Sequence, residues 1–154
     1  MEMSDRAITY DGDFYGWVQQ QTALIRQGQW SELDAQNLLE ELESLGRSEK
    51  RALISQVARL CAHLLKWRYQ PAKRSRSWVL SIRSARQEIA AILRDNPSLR
   101  AKLPEVFADG YDRGRLMALE ETGLADREIP EVAPFDWQTA IEQPIDLPDN
   151  PSNP

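Results

Sequence analysis

The chain has one cysteine and one histidine in 154 residues. A single thiol, Cys61, excludes an internal disulfide and is what a reducing cytoplasm allows. A lone histidine, His63, excludes the common zinc sets, and without a Glu-x-x-His pair the di-iron helical bundle is excluded too. No stretch of about 18 apolar residues exists, so no membrane span is expected. Met1 to Tyr10 is polar and lacks the apolar centre of a signal peptide. There is no phosphate loop, no dinucleotide fingerprint and no arguable Ser-His-Asp order, so no catalytic residue, metal or cofactor is assigned. Strand signals are missing as well, because no β-branched alternation is bounded by turn residues.

A further absence is local. Between Glu49 and Glu88 the chain carries no carboxylate, yet it holds the ten cations Lys50, Arg51, Arg59, Lys66, Arg68, Lys73, Arg74, Arg76, Arg83 and Arg86. Charge is layered along the sequence. Residues 1–49 hold 3 cations against 10 acids, residues 50–115 hold 15 against 5, and residues 116–154 hold 1 against 9. A basic middle between acidic ends can recruit an external anion, but its own flanks compete for it.

What is present is helical periodicity. Phe14, Trp17, Val18, Gln21, Leu24 and Ile25 share a face of a first helix over about residues 13–27, with Asp11 as its expected cap and Gly28 as its stop. Gln21 lies within that stripe and should find a buried partner. A second pattern starts near Ser31 with Leu38, Leu42 and Leu45. It either ends at Gly46 or runs on through Leu53, Val57, Leu60 and Leu64 to about Tyr69, a rod of roughly 55 Å. Pro71 interrupts it. A third helix from Ser75 or Ser77 to Asp95 carries Trp78, Ile82, Ala85, Ile89 and Ile92. Ser98 caps a short turn. A fourth helix from about Glu105 to Thr122 carries Val106, Phe107, Gly110, Gly114, Met117 and Ala118, and Gly123 ends it. Gly110-x-x-x-Gly114 lets another helix approach closely. Asp136 caps a short helix over 137–143. The expected fold is an all-α single-domain bundle of four to five helices over residues 1–143. A proline-rich, poorly ordered tail is expected over 144–154.

Tyr10-Asp11-x-Asp13-Phe14-Tyr15-x-Trp17, Glu40-Glu41-Leu42-Glu43-Ser44-Leu45-Gly46-Arg47-Ser48-Glu49, His63-Leu64-Leu65-Lys66-Trp67, Arg74-Ser75-x-Ser77-Trp78 and Asn96-Pro97-Ser98-Leu99 together resemble the signatures of the bacterial domain of unknown function 29 family. The resemblance spans about residues 8–140. It implies a bacterial or cyanobacterial all-helical bundle and supplies no activity or catalytic residue.

Two groups of residues remain as candidates. Lys66, Trp67, Arg68, Lys73, Arg74 and Arg76 form a cationic, aromatic turn around Pro71. There they can meet phosphates, stack on bases, or pair with Glu40, Glu41, Glu43 and the acidic C-terminal third. His63 and Glu121 form the second group, because helical spacing puts Glu121 on the apolar face and a buried carboxylate needs a partner. His63 or an arginine such as Arg86 is the expected one. Cys61, on the apolar side, reads as an inert buried thiol. The leading expectation is a non-enzymatic cytoplasmic module that docks a protein partner or itself. Nucleic-acid binding through residues 59–86 is the alternative. A small-ligand or enzymatic site around His63 and Glu121 is the third.

Overall fold

The Asp13 carboxylate accepts the Gly16 N–H at 2.9 Å and so starts helix α1, Phe14–Arg26. Its chain leaves through Gly28, whose φ of 69° no β-carbon favours. A single 3₁₀ turn, Trp30–Glu32, leads into α2, Ala35–Tyr69. Of the two readings of the second pattern, the longer holds: one helix of 35 residues passes through Gly46. A glycine costs about 1 kcal/mol in a helix interior, too little to stop good helix formers on both sides. Pro71–Lys73 makes the next turn, and the Ser75 hydroxyl accepts from the Trp78 amide to open α3, Arg76–Asp95. A 3₁₀ turn over Pro97–Lys102 precedes α4, Leu103–Thr122, which Gly123 ends in the left-handed region. Asp136 caps α5, Trp137–Glu142. The computed structural model describes residues 7–147, and these five α-helices with short 3₁₀ turns and no strand make the chain all-α. The tail expected over 144–154 falls largely outside the described residues. Within them, Ile145 is buried and Leu147 packs against the core.

The chain separates into two compact units after Arg47. In the first, Trp17 and Gln21 are the buried residues of α1. Gln21 finds its partner: its Oε1 accepts the Asp34 amide at 2.8 Å. Asp34 in turn accepts from Asn37 Nδ2 at 2.8 Å and from Trp17 Nε1 at 3.0 Å. Those donors, Asn37 before Trp17, hold the Asp34 carboxyl below its ordinary range. Tyr10 packs edge-on against Trp17, with ring centroids 4.8 Å apart, and its hydroxyl donates to Glu41.

In the second unit the remainder of α2 is nearly continuous core: Leu53, Val57, Leu60, Cys61 and Leu65 have no exposure. Val79, Ile82, Ala85 and Ile89 of α3 and Val106 and Ala118 of α4 belong to the same cluster. Two glycines set how closely α2 and α4 approach. A β-carbon on Gly110 would lie 2.4 Å from Val57 Cγ1, and one on Gly114 would lie 2.6 Å from the Ala58 carbonyl and 2.8 Å from Cys61 Cβ. The Gly110-x-x-x-Gly114 spacing therefore serves the close approach that the sequence suggested. Beyond α4, buried Arg115 fixes the returning chain. Its Nη2 donates to the Asp126 carbonyl at 2.7 Å and its Nε to the Ile129 carbonyl at 3.0 Å, while Tyr111 donates to the Pro130 carbonyl.

Candidate functional site

The C-terminal end of α2 carries most of the candidate residues, and the helix distributes them over different surroundings. Lys66 is 8 % exposed and turns inward. Its ammonium pairs with Glu121 at 2.5 Å and sits 5.2 Å from the centre of the Trp78 ring. It therefore leaves the expected exposed surface, because one residue of helical rotation places it on the α3 and α4 side of α2. Trp67 and Arg68 follow at the rim. Arg74 folds back over Trp67, its guanidinium carbon 4.6 Å from the ring centre and its Nε donating to the Trp67 carbonyl at 2.8 Å. One face of Trp67 is thus covered by a cation rather than open to a base. Arg68 donates to the Pro134 carbonyl at 3.3 Å. Lys73 and Arg76 are exposed.

This answers how the carboxylate-free run is balanced. Among the described residues, Lys50 and Lys66 are its members in ion pairs, with Glu105 and Glu121. Arg68, Arg74 and Arg86 instead donate to backbone carbonyls, Arg86 to Ala140 at 2.9 Å. A carbonyl orients a guanidinium without cancelling its charge. Arg86 also holds one buried nitrogen, Nη2, with no hydrogen-bond partner, and burial lowers its pKa.

The buried pair expected between His63 and Glu121 is corrected on both sides. Glu121 occupies the last turn of α4, where its side chain is 47 % exposed, and its carboxylate accepts from Lys66. His63 is half-buried, and its Nδ1 donates to the Arg59 carbonyl at 2.9 Å, which leaves Nε2 as the acceptor. Burial is the first cause holding the His63 pKa below its ordinary value, opposed by the bond to the Arg59 carbonyl and by Glu121 and reinforced by the Lys66 and Arg59 charges. Neutral imidazole, buried thiol and a lysine-bound carboxylate do not form a hydrogen-bonded relay here. Cys61 has no exposure, and burial pushes its thiol up to about 12, so it is no nucleophile.

The leucines before Gly46 are a different matter. The 3.6-residue period reads Leu38, Leu42 and Leu45 as a core stripe, yet Leu42 and Leu45 are each 65 % exposed and neighbouring Leu39 is 57 % exposed. Glu40 and Glu43 flank them in water, and Arg47 approaches Glu43 at 3.8 Å one turn on. Trp30 and Tyr15, in the same unit, are also open to solvent. Periodicity identified the apolar face but carried no signal of what covers it. Arg115 escaped the sequence reading entirely, since apart from the Asp126 carboxylate at 3.0 Å its partners are main-chain carbonyls that no side-chain pattern reveals.

A family model for a domain of unknown function, DUF29, matches residues 9–144. The chain belongs to the DUF29 family. Comparison of this DUF29 chain with curated proteins and with solved structures found no match. None of the helices in the described residues of the DUF29 chain is long and apolar enough to cross a membrane.

Proposed function

We propose that the chain is a protein-interaction module of the bacterial cytoplasm, and that the leucine face on the first third of α2 docks an amphipathic basic helix of a partner protein. The observation that carries this reading is the exposure of Leu39, Leu42 and Leu45, between 57 and 65 % each, on one short stretch of a well-formed helix. Contiguous apolar surface rimmed by charge is the usual mark of a docking site. Their spacing of three residues keeps them on one side of the helix, which suits a second helix laid alongside. Charge selects the partner. Described residues 7–47 hold Asp11, Asp13, Glu32, Asp34, Glu40, Glu41 and Glu43 against Arg26 and Arg47. A second copy brings the same acidic surface to itself, whereas a lysine-flanked helix meets Glu40 and Glu43 with opposite charge.

The test uses a synthetic helix of about 18 residues, or five turns, with leucines on one face and lysines on the other. A scrambled peptide of identical composition serves as the control. The amphipathic peptide should bind, the scrambled one should bind at least about tenfold more weakly, and Leu42→Glu with Leu45→Glu should abolish the difference. Equal binding of both peptides refutes an apolar docking face. A stable dimer lost in the same double variant replaces the partner helix with a second copy.

A further inference from the structure

We propose that the cavity at the C-terminal end of α2 binds a small organic carboxylate. This inference is independent of the leucine face. The cavity, about 240 Å³, is lined by Trp67, Arg68, Arg74, Gln143 and Ile145, and none of the described residues that line it is a carboxylate. Leu64 and Phe135 supply further apolar wall. Two guanidinium groups therefore share one concave site, with no counter-charge among the described residues that line it.

Both are held in place without being neutralised. Arg74 spends Nε on the Trp67 carbonyl with its guanidinium over the indole, and Arg68 spends Nη1 on the Pro134 carbonyl. Each guanidinium has five N–H groups, so both Nη nitrogens of Arg74 and Nη2 of Arg68 still have donors to give. A planar fork of donors matches a carboxylate, and the gain is largest where apolar walls exclude part of the water. The apolar side of the cavity asks for a ligand with more than a charge. Its volume lies below the roughly 300–1,000 Å³ of pockets for drug-sized molecules, so the body should have on the order of ten non-hydrogen atoms. An aryl or branched alkyl acid meets both demands. A nucleic-acid strand does not, because the exposed base platform it needs is the Trp67 face that Arg74 already covers.

Phenylacetate is the probe, with acetate and inorganic phosphate as contrasts. The readout is the indole N–H resonance of Trp67 in the intact chain, assigned by its loss in Trp67→Phe. Phenylacetate should shift it saturably with a Kd of about 1 mM or lower. Arg68→Gln and Arg74→Gln should each weaken binding about tenfold or more, the loss of a charge-assisted hydrogen bond, with helix content unchanged by circular dichroism. Phe135→Ala should weaken phenylacetate and leave acetate, already weak, unaltered. Absence of saturation up to about ten times that concentration overturns the proposal. So does phosphate or acetate binding as tightly as phenylacetate, which reduces the site to surface charge, or binding indifferent to both arginine substitutions.

Discussion

Gly114→Ala isolates the contact that seats α4 on α2. Two opposing effects can be worked from the geometry. Alanine is better than glycine in a helix interior by about 0.8–1 kcal/mol, which favours the variant. Against this, the new methyl would stand 2.6 Å from the Ala58 carbonyl oxygen, 2.8 Å from Cys61 Cβ and 3.0 Å from the Ala62 nitrogen. Carbon needs about 3.5–4.0 Å, so the helices must part by most of an ångström, and two of the three neighbours are backbone atoms that cannot rotate aside. Overpacking of this kind costs about 1–3 kcal/mol, and backbone contact places it at the upper end. The net expectation is a loss of about 1–2 kcal/mol, or a fall in Tm of about 3–6 °C for a chain of this size. Gly46→Ala supplies the control, because apart from its own helix backbone nothing lies within 4 Å of a β-carbon built there. It should show the propensity gain alone, about 0.5–1 kcal/mol of added stability. Thermal and urea unfolding followed by circular dichroism measure both. If Gly114→Ala is as stable as Gly46→Ala, the close approach of the two helices is not what requires the glycine.

Further expectations concern polar groups. Glu121→Ala should cost about 1–2 kcal/mol in urea unfolding by leaving the Lys66 ammonium without its anion. That is less than for a fully buried pair because Glu121 is half in water, and adding Lys66→Met should restore the loss. His63 has a native pKa below its unfolded value, so the unfolded chain binds the extra proton first as pH falls below about 6.5, and stability drops until the native pKa is passed. Melting curves from pH 7.5 to 5 should show that decline, and His63→Asn should flatten it; an unchanged slope would mean that the imidazole facing Arg59, Lys66 and Glu121 titrates normally. Arg115→Met should cost about 3 kcal/mol or more by stranding the Asp126 and Ile129 carbonyls, and Arg115→Lys should recover little, since a single ammonium cannot span the carbonyls that the guanidinium fork reaches.

The helices were legible from their periods, and Ser75, Asp136 and Gly123 act where the sequence put them, whereas α1 is capped by Asp13 and not by Asp11. Gly46 was ambiguous, since the same residue serves as a stop or as a tolerated interruption, and the flanking helix formers decide. Lys66 shows the limit of reading charge as surface. Its long stem lets an ammonium reach Glu121 from a buried position, and the sequence contains no mark of that. Glu121 was placed on the correct face but one turn too deep, because periodicity fixes angle and says little about depth near a helix end. The arginines of the carboxylate-free run were expected to seek acids, and Arg68, Arg74 and Arg86 went to carbonyls, which are invisible in a residue pattern. The exposed leucines reveal the same gap from the other side, since amphipathicity names a face and not its occupant.

Cys61 lies at the seam where Gly114 meets α2, and it is the chain's single thiol. The protein thus carries a built-in chemical clock at a close junction of two helices. A thiol reagent cannot reach the sulfur while α4 is seated, so at reagent concentrations high enough to outpace reclosing, labelling proceeds at the rate at which that junction opens. Comparing this rate with global unfolding distinguishes local release of α4 from melting of the whole second unit, without introducing any probe.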